Sequence, residues 1–147
     1  VSTWLNVADG FGVDDLSERV VLAAAFQMLC PGCVDKTIPQ LREAAALFSP
    51  ERVAVVGLHT VFEHHEAMTP VALRAFAHEY RLTFPIGIDT PDPGGQPIPL
   101  TMARFAMQGT PTLMLFDRQG QLRHQNFGHL SDLQLGAAVT ELVLTAT

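Results

Sequence analysis

The sequence predicts an α/β fold in which a mixed central sheet is flanked by helices on both faces. Three observations lead there. Val20–Phe26 and Val53–Leu58 are continuous apolar runs, the pattern of strands buried on both faces in a parallel pair. Between them Val34, Ile38, Leu41, Ala44, Ala45 and Phe48 recur at helical spacing, which supplies the crossover a parallel pair needs. Asp117-Arg118-Gln119-Gly120 then joins two strand-like runs, so a terminal hairpin makes the sheet mixed.

In chain order, Trp4-Leu5-Asn6-Val7 ends at the turn signal Asp9-Gly10 and fits an edge strand. Asp14–Arg19 is polar and reads as a loop. The first buried strand, Val20–Phe26, leads straight into Cys30-Pro31-Gly32-Cys33. A helix is expected from there to about Phe48, kinked at Pro39, which has no backbone N–H to donate. The second buried strand, Val53–Leu58, follows. Thr69-Pro70 then opens a helix to about Arg81, with Thr69 as N-cap and Pro70 in the first turn. Phe84–Ile88 reads as a short strand, Asp89–Pro99 as a proline-rich loop and Leu100–Met107 as a short helix. After Gly109-Thr110-Pro111, Thr112–Phe116 and Gln121–Phe127 form the hairpin, and Ser131 caps a last helix to about Leu144.

The 147 residues fit one domain over 1–147 with its own core, since 48% of them are hydrophobic. A net charge of −6 argues against a nucleic-acid surface, which needs a basic patch. The longest apolar run is seven residues, Val20–Phe26, against the roughly 18 that suggest a membrane span. Neither nucleic acid nor membrane is therefore expected as a partner. Residues 1–20 lack the basic start and apolar stretch of an export signal, so the expected compartment is the cytoplasm. Because the chain begins at Val1 rather than Met, a removed export signal is the alternative.

Two cysteines are too few for a secreted disulfide framework, and their spacing carries more information than their number. A C-x-x-C after a buried strand and at the start of a helix is a redox motif. Unpaired N–H groups and the helix dipole favour an anion there, and the thiolate is the nucleophilic form of cysteine. Cys33, one turn on, can reach the Cys30 sulfur and resolve a mixed disulfide. Pro31 and Gly32 leave no bulky group over Cys30. A structural zinc site would usually want a second ligand pair, and the chain has no other cysteine. Pro111, just ahead of an apolar strand, cannot sit in a strand centre; a cis Thr110–Pro111 bond is one solution and an ordinary trans loop proline the other.

These residues resemble the thioredoxin superfamily, and most of all its TlpA-like and redoxin-type thiol–disulfide oxidoreductases. The matching features are Val20–Phe26, Cys30-Pro31-Gly32-Cys33, Val53–Leu58, Gly109-Thr110-Pro111-Thr112 and the Leu115–Gly120 hairpin. The resemblance implies a thioredoxin-like fold, with Cys30 attacking and Cys33 resolving. It also implies a cis Pro111 beside the dithiol, where Thr110 binds the partner's backbone. Residues 1–19 would be an N-terminal extension with an edge strand, and 62–99 a family-type insertion. Leu29 stands where many members have Trp, and Ala24 about where thioredoxin carries a buried Asp. Gln27 takes the place of the Thr or Ser that peroxiredoxins have three residues before the reactive cysteine.

Functional groups in open α/β sheets gather beyond the carboxyl ends of parallel strands, which is where His59 falls. His59, or Glu63 nearby, is the candidate proton partner of Cys33 in place of the missing Asp; a hydrogen bond to loop backbone is the alternative for His59. Glu63, His64, His65 and Glu66 fit a solvated helix start, and Met68, Met102, Met107 and Met114 fit core packing. The expected function is thiol–disulfide exchange through Cys30 and Cys33. It would need no cofactor, a disulfide- or dithiol-containing protein partner and a reducing system. The catalytic set would be Cys30, Cys33 and His59, and the partner-binding set Pro31, Gly32, Thr110 and Pro111. Two alternatives remain at this stage: a Cu(I) carrier using Cys30, Cys33 and His59, and an atypical thiol peroxidase.

Overall fold

The computed structural model describes residues 1–145; the last two residues of the domain expected over 1–147 lie outside them. Six strands form one sheet: β1 (Thr3–Leu5), β2 (Val20–Phe26), β3 (Val53–His59), β4 (Ile86–Ile88), β5 (Thr112–Phe116) and β6 (Leu122–Phe127). The helices are α1 (Ile38–Leu47), α2 (Pro70–Glu79), α3 (Leu100–Arg104) and α4 (Asp132–Leu144). The sheet order is β1-β4-β3-β2-β5-β6. β2 and β4 run parallel to β3, while β5 is antiparallel to β2 and β6 to β5, with β1 antiparallel to β4 at the edge. The mixed α/β architecture expected from the apolar runs and the hairpin is the one observed.

The pleat divides the core. Val20, Leu22, Ala24 and Phe26 of β2 face a cluster that takes Leu41 from α1, Leu73 from α2 and Val139 from α4. Ala23 and Ala25 face the other side, where Leu58, Met102, Met107 and Met114 form a smaller cluster under α3. Both faces therefore carry helix, but unequally: three helices on one and a single short one on the other. Met68, Met102, Met107 and Met114 are all buried, as expected.

Several boundaries differ from expectation for local reasons. The polar stretch before β2 contains a 3₁₀ turn, Val13–Leu16, whose Asp15 carboxylate accepts the Gly12 N–H. A π-helical turn, Cys33–Thr37, precedes α1, with the Ile38 N–H reaching back to the Cys33 carbonyl. That wider turn lies directly ahead of Pro39, so the missing proline donor falls in the first turn of α1 rather than inside a regular helix. Ala45 is exposed, although the apolar spacing included it. β4 begins only at Ile86 because the Asn6 side chain takes the Leu82 and Phe84 carbonyls. Helices α2 and α3 stop short of expectation, where Arg81 and Ala106 turn into the left-handed region at φ 53 and φ 50. Residues 64–66 form a turn rather than a helix start, and the helix begins at Pro70 under the Thr69 cap.

Gly57 pairs with Ala24 on one side and Ile86 on the other. A Cβ placed there would lie 3.0 Å from Phe26 and 3.1 Å from Phe84, both buried rings. Gly57→Ala should therefore lower unfolding free energy by about 1–3 kcal/mol, the usual range for overpacking. Chemical denaturation measures it, and an unchanged midpoint would show that the rings give way freely.

Candidate active site

The site lies at the carboxyl end of β2, where the buried strand stops at Phe26 and the chain turns into a helix. The turn is closed by the Cys30 N–H donating to the Gln27 carbonyl at 3.0 Å, and the helix opens with the Val34 N–H on the Cys30 carbonyl at 3.1 Å. Cys30 and Cys33 are joined as a disulfide, their Cα atoms 5.2 Å apart. The Cys33 N–H is aimed at the Cys30 sulfur, 3.3 Å away. An N–H at the start of a helix is an orphan donor, and a thiolate in front of it gains both the hydrogen bond and the dipole.

The two sulfurs have different surroundings. Cys30 is half-buried, between exposed Leu29 and exposed Pro31, whereas Cys33 is wholly buried in the main core. The Thr110–Pro111 peptide is cis. Thr110 presents its carbonyl oxygen 3.6 Å from the Cys30 sulfur. A Cβ on Gly32 would meet Pro111 Cδ at 3.9 Å, an ordinary contact, and Gly32 has helical dihedrals. The Thr-Pro loop and the cysteine motif are therefore neighbours, but neither space nor backbone geometry requires a glycine at position 32. The sequence reading brought Cys30, Pro31, Gly32, Cys33, Thr110 and Pro111 to one place, and they do meet.

His59 is the exception. It is 1% exposed at the end of β3, opposite Phe26 in the ladder, and its ring lies 5.1 Å from that of Phe26. Its Nε2 accepts the Met28 N–H at 3.2 Å. A nitrogen that accepts from an amide carries no proton, so the neutral ring holds its proton on Nδ1. Burial pushes its pKa down from 6.5 to about 4. The only lone pair available to take a proton is thus already held by backbone, and the imidazole braces the turn leading to Cys30. Of the two arrangements expected for His59, the structure shows the hydrogen bond to loop backbone. The same bond removes His59 from the copper set. Among the described residues, no three His, Cys, Asp or Glu side chains gather as a metal site.

Two contributors escaped the sequence reading. Gln27 is 1% exposed; its Oε1 accepts the Phe62 N–H and its Nε2 donates to Thr110 Oγ1, each at 3.2 Å. Phe127, 52% exposed, leans on the Thr-Pro loop, since a Cβ on Gly109 would lie 3.1 Å from its ring. An amide-bearing residue within an apolar stretch was the available signal for Gln27, and an aromatic at the end of a polar strand for Phe127. Phe62 and Phe105 pack against the smaller core cluster.

A cysteine pair that closes into a disulfide at a helix start has two-electron exchange with other disulfides as its ordinary chemistry, and the sheet that holds it here is thioredoxin-like. A thioredoxin-like superfamily protein of known structure is 49% identical, with a TM-score of 0.95 over 100% of this chain and 94% of its own. A thiol-disulfide isomerase from Corynebacterium glutamicum is 41% identical, with a TM-score of 0.94 over 99% of this chain and 94% of its own. A thioredoxin-like protein in its oxidized form, 23% identical with a TM-score of 0.75 over 97% of this chain and 88% of its own, shares the fold. No family model and no curated protein sequence matches. The chain belongs to the thioredoxin-like superfamily and is a thiol–disulfide oxidoreductase. None of its described helices is long and apolar enough to cross a membrane.

The buried imidazole has a consequence for stability. Unfolded, His59 takes a proton near 6.5; folded, only near 4. Between those values the unfolded chain binds the extra proton, so stability falls as pH drops through that window. The loss from about pH 7 to about pH 5 is roughly 2 kcal/mol from this residue. His59→Gln keeps an acceptor for the Met28 N–H and should remove that part of the acid sensitivity in denaturant titrations. The same acid dependence in both proteins would contradict the assignment.

Proposed function

We propose that Cys30 attacks a disulfide of a partner protein and that Cys33 resolves the mixed disulfide. The asymmetry of the two sulfurs carries this reading: Cys30 is half-exposed and faces a backbone N–H, whereas Cys33 is buried behind it. The Cys30 thiolate displaces one partner sulfur, which leaves as a thiolate and takes a proton from water. The Cys33 thiolate then attacks the Cys30 sulfur and releases the second partner thiol. Two electrons pass to the partner, and an external dithiol restores the pair. The direction in the cell follows from the reduction potential of the pair against that of its compartment.

The docking edge in this reading is Thr110–Pro111, with Pro31 and Gly32 opposite it. Leu29, 55% exposed, and Phe127 supply apolar surface beside it. The segment 62–99, which carries α2 and β4, is the family-type insertion, and it lends the Phe62 N–H to the site.

Turnover of a protein disulfide with dithiothreitol as reductant should fall at least ~100-fold in both Cys30→Ser and Cys33→Ser, as expected for loss of a nucleophile or its partner. Only Cys33→Ser should accumulate disulfide-linked partner, visible on non-reducing gels. Accumulation in Cys30→Ser instead would reverse the two roles, and full activity in both variants would remove the function.

A further inference from the structure

The bonds around Gln27 fix the direction of a hydroxyl beside the dithiol. The Phe62 N–H can only donate, so the amide oxygen of Gln27 must face it. The amide nitrogen is then turned to Thr110 Oγ1, and an amide nitrogen can only donate. Thr110 Oγ1 must accept, which directs its own proton away from Gln27. Gln27 is 1% exposed, so it cannot exchange these bonds for water without leaving buried donors and acceptors unpaired. Thr110 is half-buried, and its hydroxyl makes no second hydrogen bond among the described residues. The same residue brings its carbonyl to within 3.6 Å of the Cys30 sulfur.

We infer that Gln27 is a positioning residue that turns the Thr110 hydroxyl proton outward and so presents it as a donor to a backbone carbonyl of the docked partner. The inference rests on the reading that the Thr110–Pro111 edge docks the partner, and it sharpens the substrate class. A disulfide carried on an extended peptide supplies the acceptor; a small disulfide without amide groups does not. The residue acts through Thr110 and touches neither sulfur by side chain, so it should change the handling of peptide substrates without changing the exchange chemistry.

The experiment compares kcat/KM for a disulfide-bearing peptide and for dimethyl disulfide, at pH 8 with dithiothreitol as reductant. In Gln27→Glu the ionised carboxylate still accepts the Phe62 N–H but must also accept from Thr110, which reverses the hydroxyl. Peptide kcat/KM should fall roughly tenfold through KM, the worth of one hydrogen bond, while the small disulfide stays within about twofold. Thr110→Val should likewise raise the peptide KM, and Thr110→Ser should restore peptide turnover. Gln27→Glu combined with Thr110→Val should lose no more than either alone. Far-UV circular dichroism and the thermal midpoint show that each variant is folded. Unchanged peptide KM in both Gln27→Glu and Thr110→Val overturns the inference, as does an equal loss on both substrates. If the unaltered protein turned over neither substrate, the oxidoreductase reading would fall with it; if it turned over both and only the variants disagreed, that reading would stand alone.

Discussion

One backbone N–H aimed at one sulfur organises this molecule. The Cys33 amide lies 3.3 Å from the Cys30 sulfur because the chain leaves a buried strand and enters a helix within four residues. That geometry starts from β2, a central strand of the sheet buried at every residue but Val21. β3 pairs along its whole length on one side and β5 on the other, and apolar clusters cover both of its faces. The sequence run Val20–Phe26 thus sets both the core and the point from which the reactive sulfur is presented.

Three buried polar side chains are committed to partners far along the chain. The His59 ring takes the Met28 N–H, Gln27 ties the Phe62 segment to the Thr-Pro loop, and Asp89 accepts the Thr101 and Met102 N–H groups at the start of α3. Each bond joins segments distant in the chain, and each would cost more to leave unmade than it contributes when made. The loops carrying Phe62 and Thr110 are therefore held in fixed relation to the dithiol although neither belongs to the sheet. On β2 itself, Ala24 is wholly buried and only packs.

Much of this was legible in the sequence, for physical reasons. A seven-residue apolar run has few alternatives to a buried strand, and a C-x-x-C placed after it has few alternatives to redox chemistry. The Ser131 cap was equally readable, and in the structure Gln134 closes it into a capping box. What escaped depends on distant partners. Gln27 meets Thr110 across 83 residues and Phe62 across 35, so its role was invisible until the chain folded. His59 lies at the end of β3, where its Nε2 accepts the Met28 N–H. Strand position cannot tell whether a neighbouring amide will occupy the imidazole lone pair.

In the proposed reaction this geometry, rather than a neighbouring base, makes Cys30 the reactive thiol. The most direct measurement is the pH dependence of alkylation of the fully reduced protein by iodoacetamide, read cysteine by cysteine by mass spectrometry. Cys30 should react first, with an apparent pKa clearly below the ~8.5 of a free thiol, while buried Cys33 is protected, and His59→Gln should leave this profile in place. A Cys30 profile at or above the free-thiol value, or Cys33 reacting first, would contradict it.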